Sequence, residues 1–136
     1  FTRFSFDQAP AATINYAGTP YCNNTGTANV TRVGTAGGTY SSTTGLIIDM
    51  NNGTINLNSS TAGTYIVTYN IPASGGCPAV NATTSVTINQ IPTITCPANI
   101  IVNNGAGICG AIVNYPAAIF TGIPAPTVTY SVSSGS

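Results

Sequence analysis

Thr64-Tyr65-Ile66-Val67-Thr68-Tyr69-Asn70-Ile71 alternates small polar and large apolar residues almost without a break. Tyr65, Val67, Tyr69 and Ile71 fall on one face at a period of two. Such alternation in β-branched and aromatic residues marks a half-buried strand, because successive side chains of a strand point to opposite faces of its sheet. A helix would need apolar residues three and four apart, and no stretch of the chain supplies them over a useful length. This segment sets the expectation of an all-β protein.

The same pattern recurs on both sides. Thr13-Ile14-Asn15-Tyr16 alternates, Thr84 to Asn89 turns Val86 and Ile88 to one face, and Thr127 to Val132 groups Val128, Tyr130 and Val132. Between these runs lie Gly37-Gly38, Asn51-Asn52-Gly53, Ala62-Gly63, Ser74-Gly75-Gly76 and Asn103-Asn104-Gly105. Asn-Gly favours hairpin turns because both residues tolerate positive φ. Short strands at this spacing predict antiparallel β-sandwiches of the Ig-like kind. Asn89-Gln90-Ile91-Pro92 separates the run ending at Ile88 from a new strand at Thr93-Ile94-Thr95. The expected organisation is a leader, or the tail of a preceding domain, over residues 1–10, a sandwich over 11–90, and a second, incomplete sandwich over 91–136. About 45 residues are too few for a seven-stranded sandwich, so a partner or further chain must supply the missing strands. The leader holds Phe1, Phe4 and Phe6 beside Arg3 and Asp7 and suits an ordered leader or a strand donated to a neighbouring subunit.

Charge narrows the chemistry. The 136 residues contain two Arg, two Asp and no Lys, Glu, His or Trp. Without histidine there is no imidazole base, imidazole metal ligand or switch between about pH 5 and 8. Without lysine there is neither a Schiff base nor a P-loop. Two arginines do not make a nucleic-acid footprint. The most apolar stretch, Ala111 to Phe120, contains Asn114 and Pro116 and is far shorter than the ~20 residues of a membrane helix. Absence of charge also leaves sheet edges without the lysines that usually block edge-to-edge pairing.

Cys22, Cys77, Cys96 and Cys109 are even in number, lack C-x-x-C spacing and have no histidine to join them, which favours disulfides in an oxidising compartment over zinc. Three pairings are open. Cys22–Cys77 with Cys96–Cys109 keeps each bridge within one segment, and in the chain-entropy view these loops would contribute about 4 and about 3 kcal/mol.

Gly45-Leu46-Ile47-Ile48-Asp49-Met50-Asn51-Asn52-Gly53-Thr54-Ile55-Asn56-Leu57, followed by Ser60-Thr61-Ala62-Gly63-Thr64-Tyr65, resembles the Ig-like or cadherin-like repeats of large bacterial surface adhesins. With Ala17-Gly18-Thr19-Pro20-Tyr21-Cys22 and Gly75-Gly76-Cys77-Pro78, it is similar to the version repeated in giant Bacteroidetes surface proteins, many of them exported by the type IX system. Pro92-Thr93-Ile94-Thr95-Cys96-Pro97, Gly107-Ile108-Cys109-Gly110-Ala111-Ile112-Val113-Asn114-Tyr115 and Val128 to Ser136 resemble the start of a hyalin repeat (HYR) domain. The Asp-rich stretch often found in that domain is missing, and Thr121-Gly122-Ile123-Pro124 stands in its place. The resemblance implies secreted or cell-surface Ig-like sandwiches used in adhesion, and it brings no catalytic residue.

Other chemistry is thinly supported. Asp7 and Asp49 are the only carboxylates, and a glycosidase pair would need them within ~5–9.5 Å. Asp49 beside Asn51 and Asn52 reads as a turn rather than a calcium site, which draws on clustered carboxylates. Asn23, Asn29, Asn52, Asn58 and Asn81 head glycosylation sequons. Tyr65 and Tyr69 are in phase with the core, whereas Tyr21 and Tyr40 are the candidates for stacking on sugar rings. The sequence therefore points to a non-enzymatic repeat module of an adhesin or filament, with neighbouring repeats or identical subunits as partners and no cofactor, metal, nucleic acid or membrane span. The alternative is a module that itself binds surface glycans.

Overall fold

The computed structural model describes residues 8–131. Phe1, Arg3, Phe4, Phe6 and Asp7 of the expected leader lie outside them, as do Val132 of the expected last strand and residues 133–136. The chain divides into two units between Gln90 and Ile91. All regular structure among the described residues is β.

Unit 1 is built on β7 (Gly63–Ile71) and β8 (Val80–Asn89), which pair antiparallel from Gly63↔Ile88 to Ile71↔Val80. The alternation read from the sequence is the alternation of burial: Tyr65, Val67, Tyr69 and Ile71 are buried, as are Val86 and Ile88. The turn between the strands contains Gly75 and Gly76, both at positive φ, as a tight reversal requires. β5 (Thr39–Ser42) adds antiparallel to β7. β2 (Tyr21–Cys22) adds to the other side of β8, and it does so in parallel, Tyr21↔Ile88 and Cys22↔Asn89, where an antiparallel neighbour was expected. Two ribbons complete the unit: β1 (Ala12–Asn15) with β4 (Thr31–Gly34), and β3 (Thr27–Ala28) with β6 (Ile55–Asn56). Ile14, Tyr16, Ala28, Ile55 and Leu57 from these ribbons and their ends meet Tyr65, Val67, Tyr69, Val86 and Ile88 in one apolar core.

Unit 2 is sparse. β9 (Thr93–Thr95) pairs antiparallel with β10 (Ile119–Thr121), a strand with too little alternation to be predicted. The expected strand over Thr127–Val132 does not form in its described part, where Tyr130 instead accepts a hydrogen bond from the Ala118 amide through its hydroxyl. Among the described residues of this unit Ala118 is the buried hydrophobic one, while Ile101, Ile112 and Ile119 are 90%, 93% and 71% exposed. Two short strands offer no second layer against which such side chains could pack.

Among the described residues no disulfide joins the four cysteines. For the preferred Cys22–Cys77 bridge the reason is geometric. Cys22 is in register with Asn89 at the C-terminal end of β8, and Cys77 lies in the turn beyond its first residue, Val80. The nine steps of β8 alone span about 30 Å, whereas bridged cysteines need Cα atoms within about 7 Å. The two thiols mark opposite poles of unit 1. Peptide mapping of the oxidised protein without reduction is therefore expected to return no intramolecular Cys22–Cys77 peptide, and finding that pair as the dominant linkage would require a different strand order.

Candidate functional site

The two tyrosines expected to stack on sugars are not placed as platforms. Tyr40 is 6% exposed, and its ring packs against Tyr69 with centroids 4.6 Å apart and planes 39° from parallel. Tyr21 is half-buried beside β8 and donates its hydroxyl to the Ala17 carbonyl. Strand phase could have warned of this for Tyr40: it lies opposite Tyr69 in the β5–β7 ladder, and directly paired residues share a face.

Asp49 is fully used by its own turn. Its two carboxylate oxygens accept from the Asn51 amide at 2.8 Å and the Asn52 side-chain amide at 2.8 Å, while its carbonyl accepts from Gly53 N–H. This is the local side-chain-to-backbone bonding for which Asp and Asn favour turns. Gly53 closes the turn at φ +73°, and a Cβ there would sit 2.7 Å from Val30 Cγ1 and 2.8 Å from Tyr40 Cε1. Tyr16, almost wholly buried, donates its hydroxyl to the Gly53 carbonyl and so fastens the turn to the end of β1.

The turn, β4 and the Gly37-Gly38 reversal surround a polar cleft of about 440 Å³. Arg32 and Val30 form one wall, Asn51 and Asn52 another, and Gly37 and Gly38 a third, over Tyr40 and Tyr69. Arg32 is in register with Ile14, a buried residue, and therefore points to the core side of the β1–β4 ribbon. Its neighbour Val33 faces outward and is 66% exposed. The ribbon thus inverts the usual placement of valine and arginine. The Arg32 guanidinium lies 5.6 Å from the Tyr69 ring centroid, a cation–π distance, and donates to the Gly34 carbonyl at 2.8 Å. Gly38 admits the Tyr69 ring: its N–H donates to the Tyr69 hydroxyl at 2.9 Å, and a Cβ would fall 2.7 Å from the ring and 2.4 Å from the Asn70 carbonyl oxygen. Arg32 is not among the candidate residues that the sequence pattern singles out, and its one local signal is the break in alternation across Thr31-Arg32-Val33-Gly34.

Burial is the main influence on the tyrosine hydroxyls. It raises the pKa of Tyr16, with Tyr40 and Tyr21 adding to the effect, and it raises that of Tyr21. Burial also raises Tyr40, while the hydrogen-bonded Arg32 guanidinium pulls the other way.

No family model, curated protein or solved structure matches the chain.

The tyrosines fix a pH window. A tyrosine whose folded pKa is raised stabilises the fold below the unfolded value of about 10, and that contribution is lost as pH rises through the folded pKa. The unfolding midpoint is therefore expected to fall steeply above about pH 10. Tyr16→Phe should blunt that alkaline loss while lowering stability at neutral pH by about 1–3 kcal/mol, because the buried Gly53 carbonyl loses its donor. Denaturant titrations at several pH values read both effects, and an unchanged alkaline slope in the variant would dissociate Tyr16 from it.

Proposed function

We propose that this protein is a structural repeat module of a secreted or cell-surface adhesin or filament, one that carries tension along a stalk. The observation that supports this best is the way β2 is joined to β8, the last strand of unit 1. The chain comes in at Gln8 and Pro10, which border the same cleft as Ile71, Pro72 and Cys77, and it leaves at Asn89, the far end of β8. Between these poles β2 lies parallel to the end of β8. Thr87 N–H donates to Thr19 Oγ1 at 3.0 Å, and Asn23 N–H donates to the Asn89 carbonyl at 2.9 Å, extending the contact on both sides. Tension applied through the two ends slides β2 and β8 past each other. Their hydrogen bonds lie across the pull and share the load, rather than opening one after another. A low-charge surface of Thr, Asn and Ser is compatible with such a tethered part, and the resemblance to adhesin repeats adds to the reading.

Single-molecule pulling through the two chain ends tests it. The expected trace has a discrete high-force event for unit 1, lowered by Thr19→Val, which removes the acceptor for Thr87 at a cost of about 1 kcal/mol. An Ile55→Val change in the β3–β6 ribbon, of similar equilibrium cost, should lower the force less. Equal effects of the two variants, or unfolding at negligible force, would refute a load-bearing role.

Assembly belongs to the same proposal. Ile94 and Phe120 are in register on one face of the β9–β10 pair, and both are exposed. Further strands from neighbouring repeats or identical subunits would cover them, and Cys96–Cys109 would be the bridge that steadies this unit. Sedimentation velocity is expected to show concentration-dependent association that weakens when Ile94→Lys and Phe120→Lys place charge on the exposed strands. A monomer at all concentrations would remove self-assembly while leaving the stalk reading intact.

A further inference from the structure

We infer that the Arg32 cleft is a binding site for acidic carbohydrate, in which the guanidinium takes the carboxylate of a uronic-acid residue and the Asn51 and Asn52 amides beside it take the ring hydroxyls. The inference rests on the cleft alone and not on the load-bearing reading.

Three observations carry it. First, Arg32 stands where a core-facing strand position calls for an apolar side chain: it is opposite buried Ile14, while Val33 is turned to solvent. Placing a charge on the inner face works against burial, since desolvation disfavours it. Second, no acid among the described residues answers the charge. Asp49 is the only carboxylate among the described residues, and its oxygens are taken by the Asn51 and Asn52 amides. Arg32 itself is directed at Gly34, Tyr40 and Tyr69. A guanidinium has five donors in a planar fork, so donors remain for a ligand in the cleft. Third, the cleft is polar and pre-shaped. The Tyr69 hydroxyl is already bonded to Gly38, the Asn51–Asn52 turn is braced by Asp49 and Thr54, and Gly53 holds that turn against Tyr40.

The chemistry of the lining selects the ligand. A carboxylate matches the guanidinium fork in a bidentate manner. Beyond it the cleft offers the side-chain amides of Asn51 and Asn52 rather than a hydrophobic slot, which favours a polyhydroxylated ring over the side chain of a peptide. Burial of the Tyr40 and Tyr69 rings explains why stacking on an exposed aromatic face is not the mode. Recognition here is by charge and hydrogen bonds around a rigid rim.

The test is calorimetric titration of the whole protein with trigalacturonate, with maltotriose as the neutral counterpart and a short Asp-rich peptide as the competing acid. Trigalacturonate is expected to bind, with affinity falling as salt rises, and maltotriose is not. Arg32→Gln should weaken trigalacturonate binding by about tenfold or more, the size of a lost charge-assisted hydrogen bond. Arg32→Lys should recover only part of it, because a point charge lacks the fork. An unchanged circular dichroism spectrum and thermal midpoint in both variants separates loss of the site from loss of the fold. The inference is overturned by absence of trigalacturonate binding, by equal binding of maltotriose, by preference for the peptide, or by wild-type affinity in folded Arg32→Gln.

Discussion

Everything in unit 1 hangs on the register of β7 against β8. Nine consecutive residue pairs fix it, and the side chains on the inner face leave little freedom. Tyr69 lies opposite Ala82 and Tyr65 opposite Val86, so large rings face smaller neighbours, and Gly63 makes room opposite Ile88. A slip of one residue would turn Tyr65, Val67, Tyr69 and Ile71 out to solvent and bring threonines inward. The remainder of unit 1 offers no second surface on which that exposed apolar face could be buried. The hairpin is therefore the frame to which the short strands attach, β5 on one side and β2 on the other.

From that frame come both poles of the unit and the contact that joins them. β8 is long enough to separate the turn holding Cys77 from the end holding Cys22, which is why the two cysteines of unit 1 are unable to meet. The same length makes β2 a strand gripping the outgoing end of the chain. A parallel contact is loaded in shear when the ends are drawn apart, and that is the physical basis for the proposed mechanical role. The polar cleft lies away from this contact, on the side where the β1–β4 ribbon and the Asn51–Gly53 turn approach Tyr40 and Tyr69. The proposed mechanical contact and the proposed binding cleft therefore occupy separate parts of unit 1.

Unit 2 shows the opposite regime. Its strands are three residues each, and apolar side chains such as Ile101 and Ile112 are almost fully exposed. Hydrophobic stabilisation scales with apolar area removed from water, and a single two-stranded ladder removes little. The proposal that further strands cover this unit rests on this shortage and not on any one residue.

The sequence by itself determined the elements whose pattern is strong and local. The β7 and β8 faces, the Asp49–Gly53 turn, the Ser74–Gly76 reversal and the all-β class are written in alternation and in residues that accept unusual φ. Those signals act over a few positions, so neighbours alone decide them. What the tertiary structure decided is everything that depends on distance between remote segments. It separated Cys22 from Cys77, set β2 parallel to β8, buried the Tyr40 ring against Tyr69, and dissolved the strand expected at Thr127. It also assembled Arg32, Asn51, Asn52 and Tyr69 around one cleft from three separate stretches of chain. Side chains of strands as short as β2, β4 and β5 carry too little pattern to announce their partners, and only the packing of those strands on the central hairpin supplies it.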